Sequence, residues 1–195
     1  QVHNKKLSTG IYIYMSEKVT NRDYFALFKP YGFLYQFTGE ESDQLLGDLY
    51  TFPKDVYSIG RLDKDSEGLL LLTNDNQYKT QLLDPKNHKY KTYWVQVEGS
   101  ITKTAVEKLC SGTIQINHKG KKHKVDQALC KTIAPPDLPE RVPSIRTRLH
   151  IPTSWIELKI TEGKNRQVRK MTAAIGFPTL RLIRNAMGSV QLQDL

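Results

Sequence analysis

Gly60 and Gly68 bracket a loop that carries Arg61, Asp63, Lys64, Asp65, Ser66 and Glu67, with apolar stretches on both sides. A carboxylate on such a loop can serve as a nucleophile or a general base, and loops held by a rigid scaffold commonly carry catalytic groups. The same residues also suit a polar turn in which Asp65 or Ser66 caps local backbone groups. Spacing alone does not choose between the two.

A second concentration of chemistry is cationic. Residues 142–184 hold Arg146, Arg148, Lys159, Lys164, Arg166, Arg169, Lys170, Arg181 and Arg184 against only Glu157 and Glu162. On a helix over 165–176, Arg166, Arg169, Lys170 and Ala173 share one side, and Val168, Met171 and Ile175 the opposite side. A helix with one packed face and one arginine face suits phosphate binding; a solvated surface is the plainer alternative. Tyr93 and Trp94 are adjacent on an alternating stretch and must face opposite ways, one into a core. His118 and His123 flank a lysine-rich turn whose cations would repel a metal, so both are read as solvated. There is no P-loop, GxGxxG, HExxH or CxxC, and so no motif for a nucleotide, a metal or a cofactor.

The elements that must position these groups follow from pattern. FALFKPYGFLYQF (25–37) reads as a strand, a tight turn at KPYG and an extended piece. Residues 40–50 read as a short helix, VYSIGRL (56–62) as a strand entering a loop, and GLLLLTND (68–75) as a buried strand closed by a turn. A short helix is expected over 76–84, and a strand over KTYWVQVEG (91–99). A helix over 102–112 takes Thr102 as its cap. HKGKKHK marks a basic hairpin bending at Gly120. APPDLPERVPS (134–144) is a surface connection. A strand over 153–163, the basic helix, and a final strand and turn over 179–192 complete the chain. The mixture lacks a regular βαβ alternation, so α+β is the expected class. Residues 1–20 read as a leader or edge segment.

The chain has 195 residues, 38% hydrophobic and 25% charged, enough for a substantial core and too apolar for general disorder. Its 29 Lys and Arg against 20 Asp and Glu give a net charge of +9, which favours polyanionic partners, nucleic acid above all. No apolar run approaches the ~18 residues of a membrane span. Two cysteines, Cys110 and Cys130, build no disulfide framework, so a reducing cytoplasm is the default location.

The ordered set KPYG (29–32), GRLDKDSEGLLLLTND (60–75), KTYWVQVEG (91–99), ITEGKNRQVRKM (160–171) and GFPTLRLIRNAMG (176–188) resembles the pseudouridine synthases of the RsuA/RluB/RluE/RluF family over residues 23–192. IPTSW, NRQVRKMTA and FPTLRLIR bring it closest to the RluE branch, and no S4 RNA-binding domain is expected. The resemblance implies a mixed, bent β-sheet with flanking helices, in two lobes around an RNA-binding cleft, within a catalytic domain at 21–195. It implies that a uridine of large-subunit (23S) ribosomal RNA, free or in an assembly intermediate, is isomerised to pseudouridine without metal or cofactor; a monomer is the default and no membrane is expected. Asp63 matches the family's essential aspartate, Arg169 the arginine that pairs with it, and Tyr93 the tyrosine that stacks on the target base. Arg166 stands where several relatives carry His. Arg61 is expected near the flipped nucleotide of the RNA, and Lys29 and Lys91 at the RNA or ordering the site; Arg148, Lys164, Arg166, Arg181 and Arg184 are expected on phosphates. A small-subunit synthase of the same family, a non-catalytic RNA-binding or ribosome-assembly protein, and a glycosidase are the competing readings. The last needs two carboxylates about 5–10 Å apart, and Asp65 and Glu67 read better as loop structure.

Overall fold

A computed structural model describes residues 2–6, 12–16, 21–145, 148 and 150–195. Arg146, counted in the basic stretch above, lies outside the described residues, as do parts of the 1–20 segment. The chain forms two compact units, Gln1–Lys89 with Arg184–Leu195, and Tyr90–Ile183. Helices and antiparallel strands are mixed without βαβ order, as expected for an α+β protein.

The first unit opens with β1 (Val2–Lys6), β2 (Tyr12–Ser16) and β3 (Tyr24–Lys29). After α1 (Leu46–Leu49) come β4 (Tyr57–Ser58), β5 (Glu67–Thr73) and α2 (Asn76–Leu83). Strand order is β1–β2–β3–β5, with β4 also on β5. Every residue of β5 is buried. Because successive side chains leave a strand on opposite faces, its leucines serve two clusters. Leu70 and Leu72 pack with Phe25, Leu27 and Val56, while Leu69 and Leu71 pack with Ile59 and Leu82. Each such leucine contributes about 1.5–3 kcal/mol, which explains why GLLLLT shows no polar alternation. Phe52 adds edge-to-face contacts with Phe25, Tyr50 and Phe37 at 5.2, 5.1 and 5.5 Å between centroids. Asp75 caps α2 by accepting from the N–H groups of Gln77 and Tyr78.

The helix expected over 40–50 is only the single turn α1. The Asp43 carboxylate accepts from the Glu40 N–H at 3.0 Å and holds the preceding residues in a turn, while Gly47 inside the helix carries the usual propensity cost.

The second unit contains β6 (Lys91–Glu98), α3 (Lys103–Cys110), the hairpin β7 (Gln115–His118) and β8 (Lys121–Lys124), β9 (Leu129–Ile133), β10 (Thr153–Ile160) and α4 (Gln167–Ala174). β10 pairs antiparallel with β6 on one side and β9 on the other. Its Ile156, Leu158 and Ile160 join Tyr93, Val95 and Val97 of β6 in one core, closed by Leu109 of α3 and by Val168 and Met171 of α4. Thr102 Oγ1 accepts from the Ala105 N–H at 3.2 Å, the expected cap of α3. Residues 134–144 contain no strand. β11 (Thr179–Met187) begins in this unit and ends in the first, where β12 (Val190–Gln191) pairs with it and Met187 enters the Leu69–Leu71 cluster.

Candidate active site

In the first unit the loop between β4 and β5 presents Asp63, half-buried, beside an exposed Arg61. Gly60 and Gly68 have φ of +72° and +103°, a region open to glycine at no steric cost; they are the two bends that let the loop leave and rejoin the core. Leu62 plugs the loop into the Phe25 cluster. The Ser66 N–H donates to the Asp63 carbonyl at 3.0 Å, closing a turn around the carboxylate's own backbone.

Two further segments brace the loop. The KPYG turn meets it where the Gly32 N–H donates to the Lys64 carbonyl at 2.8 Å. Lys64 in turn reaches the Asp43 carboxylate at 2.6 Å. The KPYG turn is itself closed by Lys29, whose fully buried ammonium donates to the carbonyls of Pro30 and Phe33 at 2.9 and 2.7 Å. Burial lowers the Lys29 pKa to about 7, against the opposing pull of Glu67, Asp65 and Asp63. Arg184, 2% exposed, donates from Nε to the Leu69 carbonyl at 2.8 Å and from Nη1 to the Arg61 carbonyl at 3.1 Å. One guanidinium thus ties together the residues that directly follow the two glycine bends.

In the second unit Tyr93 lies on the core face of β6, 9% exposed. Trp94 takes the opposite face, its indole N–H donating to Glu157 at 3.3 Å. On α4, Val168, Met171 and Thr172 are buried, while Arg169 is half-buried. Arg166 is exposed and takes a left-handed φ of +52° as the residue that starts the helix. Lys91 donates to the Thr161 carbonyl at 3.3 Å. Arg148 is exposed and faces Glu98 at 3.4 Å. Arg181 is buried and donates to the Pro139 carbonyl at 2.9 Å, fixing the proline-rich segment.

The sequence reading placed Lys29 at the RNA or ordering the site, and Arg181 and Arg184 on phosphates; in the structure all three are buried on backbone carbonyls. Arg61, Arg148, Lys164 and Arg166 keep at least part of their surface toward solvent. Neither hairpin histidine is simply solvated: His123, 30% exposed, has its Nε2 2.7 Å from Glu162 Oε1, and the Nδ1 of His118 is buried. Glu162 also accepts from the Asp126 N–H and from Gln167, at 2.9 and 2.8 Å. Burial pushes the Glu162 pKa up, but these hydrogen bonds outweigh it and hold the carboxyl below its ordinary value. Gln167 completes the start of α4 by accepting from the Lys164 N–H at 3.0 Å. Sequence reasoning missed this Glu162–Gln167 organiser. The available signal was a glutamate five residues before a glutamine at a helix start. The role of Arg184 was missed too; the signal was an arginine inside the apolar strand LIRNAM, where its donors must find carbonyls.

Among the described residues no group of three or more His, Cys, Asp or Glu side chains is placed to hold a metal. Nor is any helix long and apolar enough to cross a membrane.

Residues 23–174 match the family model described as RNA pseudouridylate synthase. The chain is 49% identical over 167 residues to the ribosomal large subunit pseudouridine synthase E of Vibrio vulnificus, covering 86% of this chain and 69% of that protein. It is 44% identical over 169 residues to the protein of the same name in Xanthomonas campestris, covering 86% and 88%. A crystal structure of a pseudouridylate synthase superposes with a TM-score of 0.69 at 26% identity, covering 93% of this chain and 69% of that one.

Proposed function

This chain belongs to the RNA pseudouridylate synthase family, and from that premise we propose that it converts one uridine of large-subunit ribosomal RNA, free or in an assembling particle, into pseudouridine. The chain is an isomerase. The observation that carries the choice of RNA is the 44–49% identity to proteins named ribosomal large subunit pseudouridine synthase E.

In this reading residues 21–195 are the catalytic domain and Asp63 is its reacting carboxylate. Ionised, it attacks the ribose of the target nucleotide or takes a proton from it. The N-glycosidic bond breaks, the uracil turns, a C–C bond from the ribose to C5 forms, and the proton lost from C5 is balanced by one gained at the freed glycosidic nitrogen. No atom is gained or lost and no redox partner or energy source enters, so the proposal includes no metal and no cofactor. Arg169 is assigned as the cationic partner of the Asp63 carboxylate. Tyr93 stacks on the uracil, returning about 1–3 kcal/mol toward the few kcal/mol that unstacking costs. Arg61, Lys91, Arg148, Lys164 and Arg166 contact the RNA; Lys29, Arg181 and Arg184 order the framework that carries the site. The enzyme works in the cytoplasm as a monomer. The bracing of the Asp63 loop supports this assignment, because a reacting group must be held in place before the substrate arrives.

Pseudouridines mapped in ribosomal RNA from cells lacking the protein test the proposal. Loss of one large-subunit site, restored by the gene, is the expected result. Loss of a small-subunit site, or of none, overturns it.

A further inference from the structure

The β7–β8 hairpin carries Lys119, Lys121, Lys122 and Lys124 within six residues, all exposed. Among the described residues no carboxylate pairs with any of them. Nothing in the fold of the hairpin calls for this charge. Lys119 and Gly120 make the bend, with φ of +52° and +76°, the positive pair that two-residue hairpin turns use. Ile116 and Val125 sink into the core, and the Val125 N–H donates to the Ile114 carbonyl at 3.0 Å. His123, paired in register with Ile116, fastens the second strand to Glu162 at 2.7 Å. The first strand is fastened by Lys170 of α4, whose ammonium donates to the Asn117 carbonyl at 2.8 Å. The lysines are therefore held on a ribbon anchored along both strands, and their mutual repulsion is a cost that folding does not repay.

We propose that this hairpin grips the phosphate backbone of the RNA substrate. α4 packs directly on β7, so the hairpin's lysines and the cations of α4 lie on neighbouring elements of one unit. Their fields overlap at His118, whose pKa is lowered by burial and then by Lys164, Lys119, His123 and Lys170. A two-stranded ribbon bearing point charges suits an irregular polyanion. Ammonium groups neutralise phosphates without reading bases, so the contact adds affinity and register, not sequence choice. The inference rests on the reading of the chain as an enzyme acting on RNA.

The test compares the whole protein with a Lys119→Gln/Lys121→Gln/Lys122→Gln/Lys124→Gln variant. Binding to protein-free large-subunit ribosomal RNA is measured over a series of KCl concentrations. With four contacts to unpaired RNA, the slope of log K against log salt becomes shallower by about 3, and a Lys122→Gln/Lys124→Gln variant gives about half that change. Wild-type slope in both variants overturns the proposal. So does a variant that only self-associates more readily, since the lysines would then merely protect exposed strand edges. A wild-type protein that binds this RNA with a hairpin-dependent slope but makes no pseudouridine leaves the hairpin contact standing and removes the proposed activity on that RNA.

Discussion

The Nε of Arg184 lies 2.8 Å from the carbonyl oxygen of Leu69, although 115 residues separate them in sequence. With the second bond to Arg61, this contact makes a buried cation the clasp of the loop that bears Asp63. A lysine there keeps the charge but has no planar fork to serve both carbonyls. Hydrogen bonds from charged groups contribute about 1.5–3 kcal/mol each, so Arg184→Lys is expected to destabilise the protein by about 3 kcal/mol. Turnover should fall with it. Urea denaturation measures the first effect, and a wild-type midpoint would contradict the role given to Arg184.

Asp63→Asn keeps the size and loop position of the side chain and removes its charge. Pseudouridine formation is expected to fall by at least about three orders of magnitude, on the scale of losing an essential nucleophile or base, while RNA affinity stays within a few-fold. Single-turnover assays on large-subunit ribosomal RNA read the first quantity and filter binding the second. Substantial residual activity would remove Asp63 from the chemistry.

Lys29 supplies a pH signature. Its pKa is about 7 in the folded chain and returns to the ordinary lysine value of about 10.4 on unfolding. Between those values the unfolded chain binds the extra proton, so stability from this group rises as pH increases from about 7 to about 10. The slope is on the order of 1 kcal/mol per pH unit. Lys29→Met should flatten that rise relative to wild type. Parallel curves of stability against pH for the two proteins would refute it.

Thr102→Ala removes the acceptor that caps α3 and is expected to cost about 1 kcal/mol. Thr102→Ser should recover most of it, because the hydroxyl remains. Thermal unfolding of the three proteins decides, and an unrescued serine variant would place the loss in packing, not in the cap.

Local patterns were legible wherever a residue's chemistry acts on its own neighbourhood. The Thr102 cap, the Lys119–Gly120 bend, the leucine run of β5 and the packed side of α4 all follow from spacing and type. Long-range satisfaction was not legible. His123 looked solvated because lysines surround it in sequence, yet its partner Glu162 is 39 residues away. Arg184 looked like a phosphate ligand because its segment is basic, yet its acceptors are the carbonyls of Arg61 in the loop and Leu69 in β5, more than 100 residues earlier. The 40–50 segment failed differently: the Asp48 carboxylate takes the Leu45 N–H and the Gln36 carbonyl takes the Leu46 N–H, both donors that a longer helix would have used. The motif loop around Asp63 stood out because its bracketing glycines and its density of charge between apolar strands are properties of one short segment.

The first unit is assembled from two pieces of chain, Gln1–Lys89 and Arg184–Leu195. Synthesis is vectorial, and domains ordinarily fold as they emerge, amino-terminal first. Here that order is broken, because the clasp on the Asp63 loop and Met187 of the Leu69–Leu71 cluster are translated after the whole of the second unit. A nascent chain halted at Ile183 would carry the loop but not its fastening, so the carboxylate gains its working surroundings only after the second unit has been made.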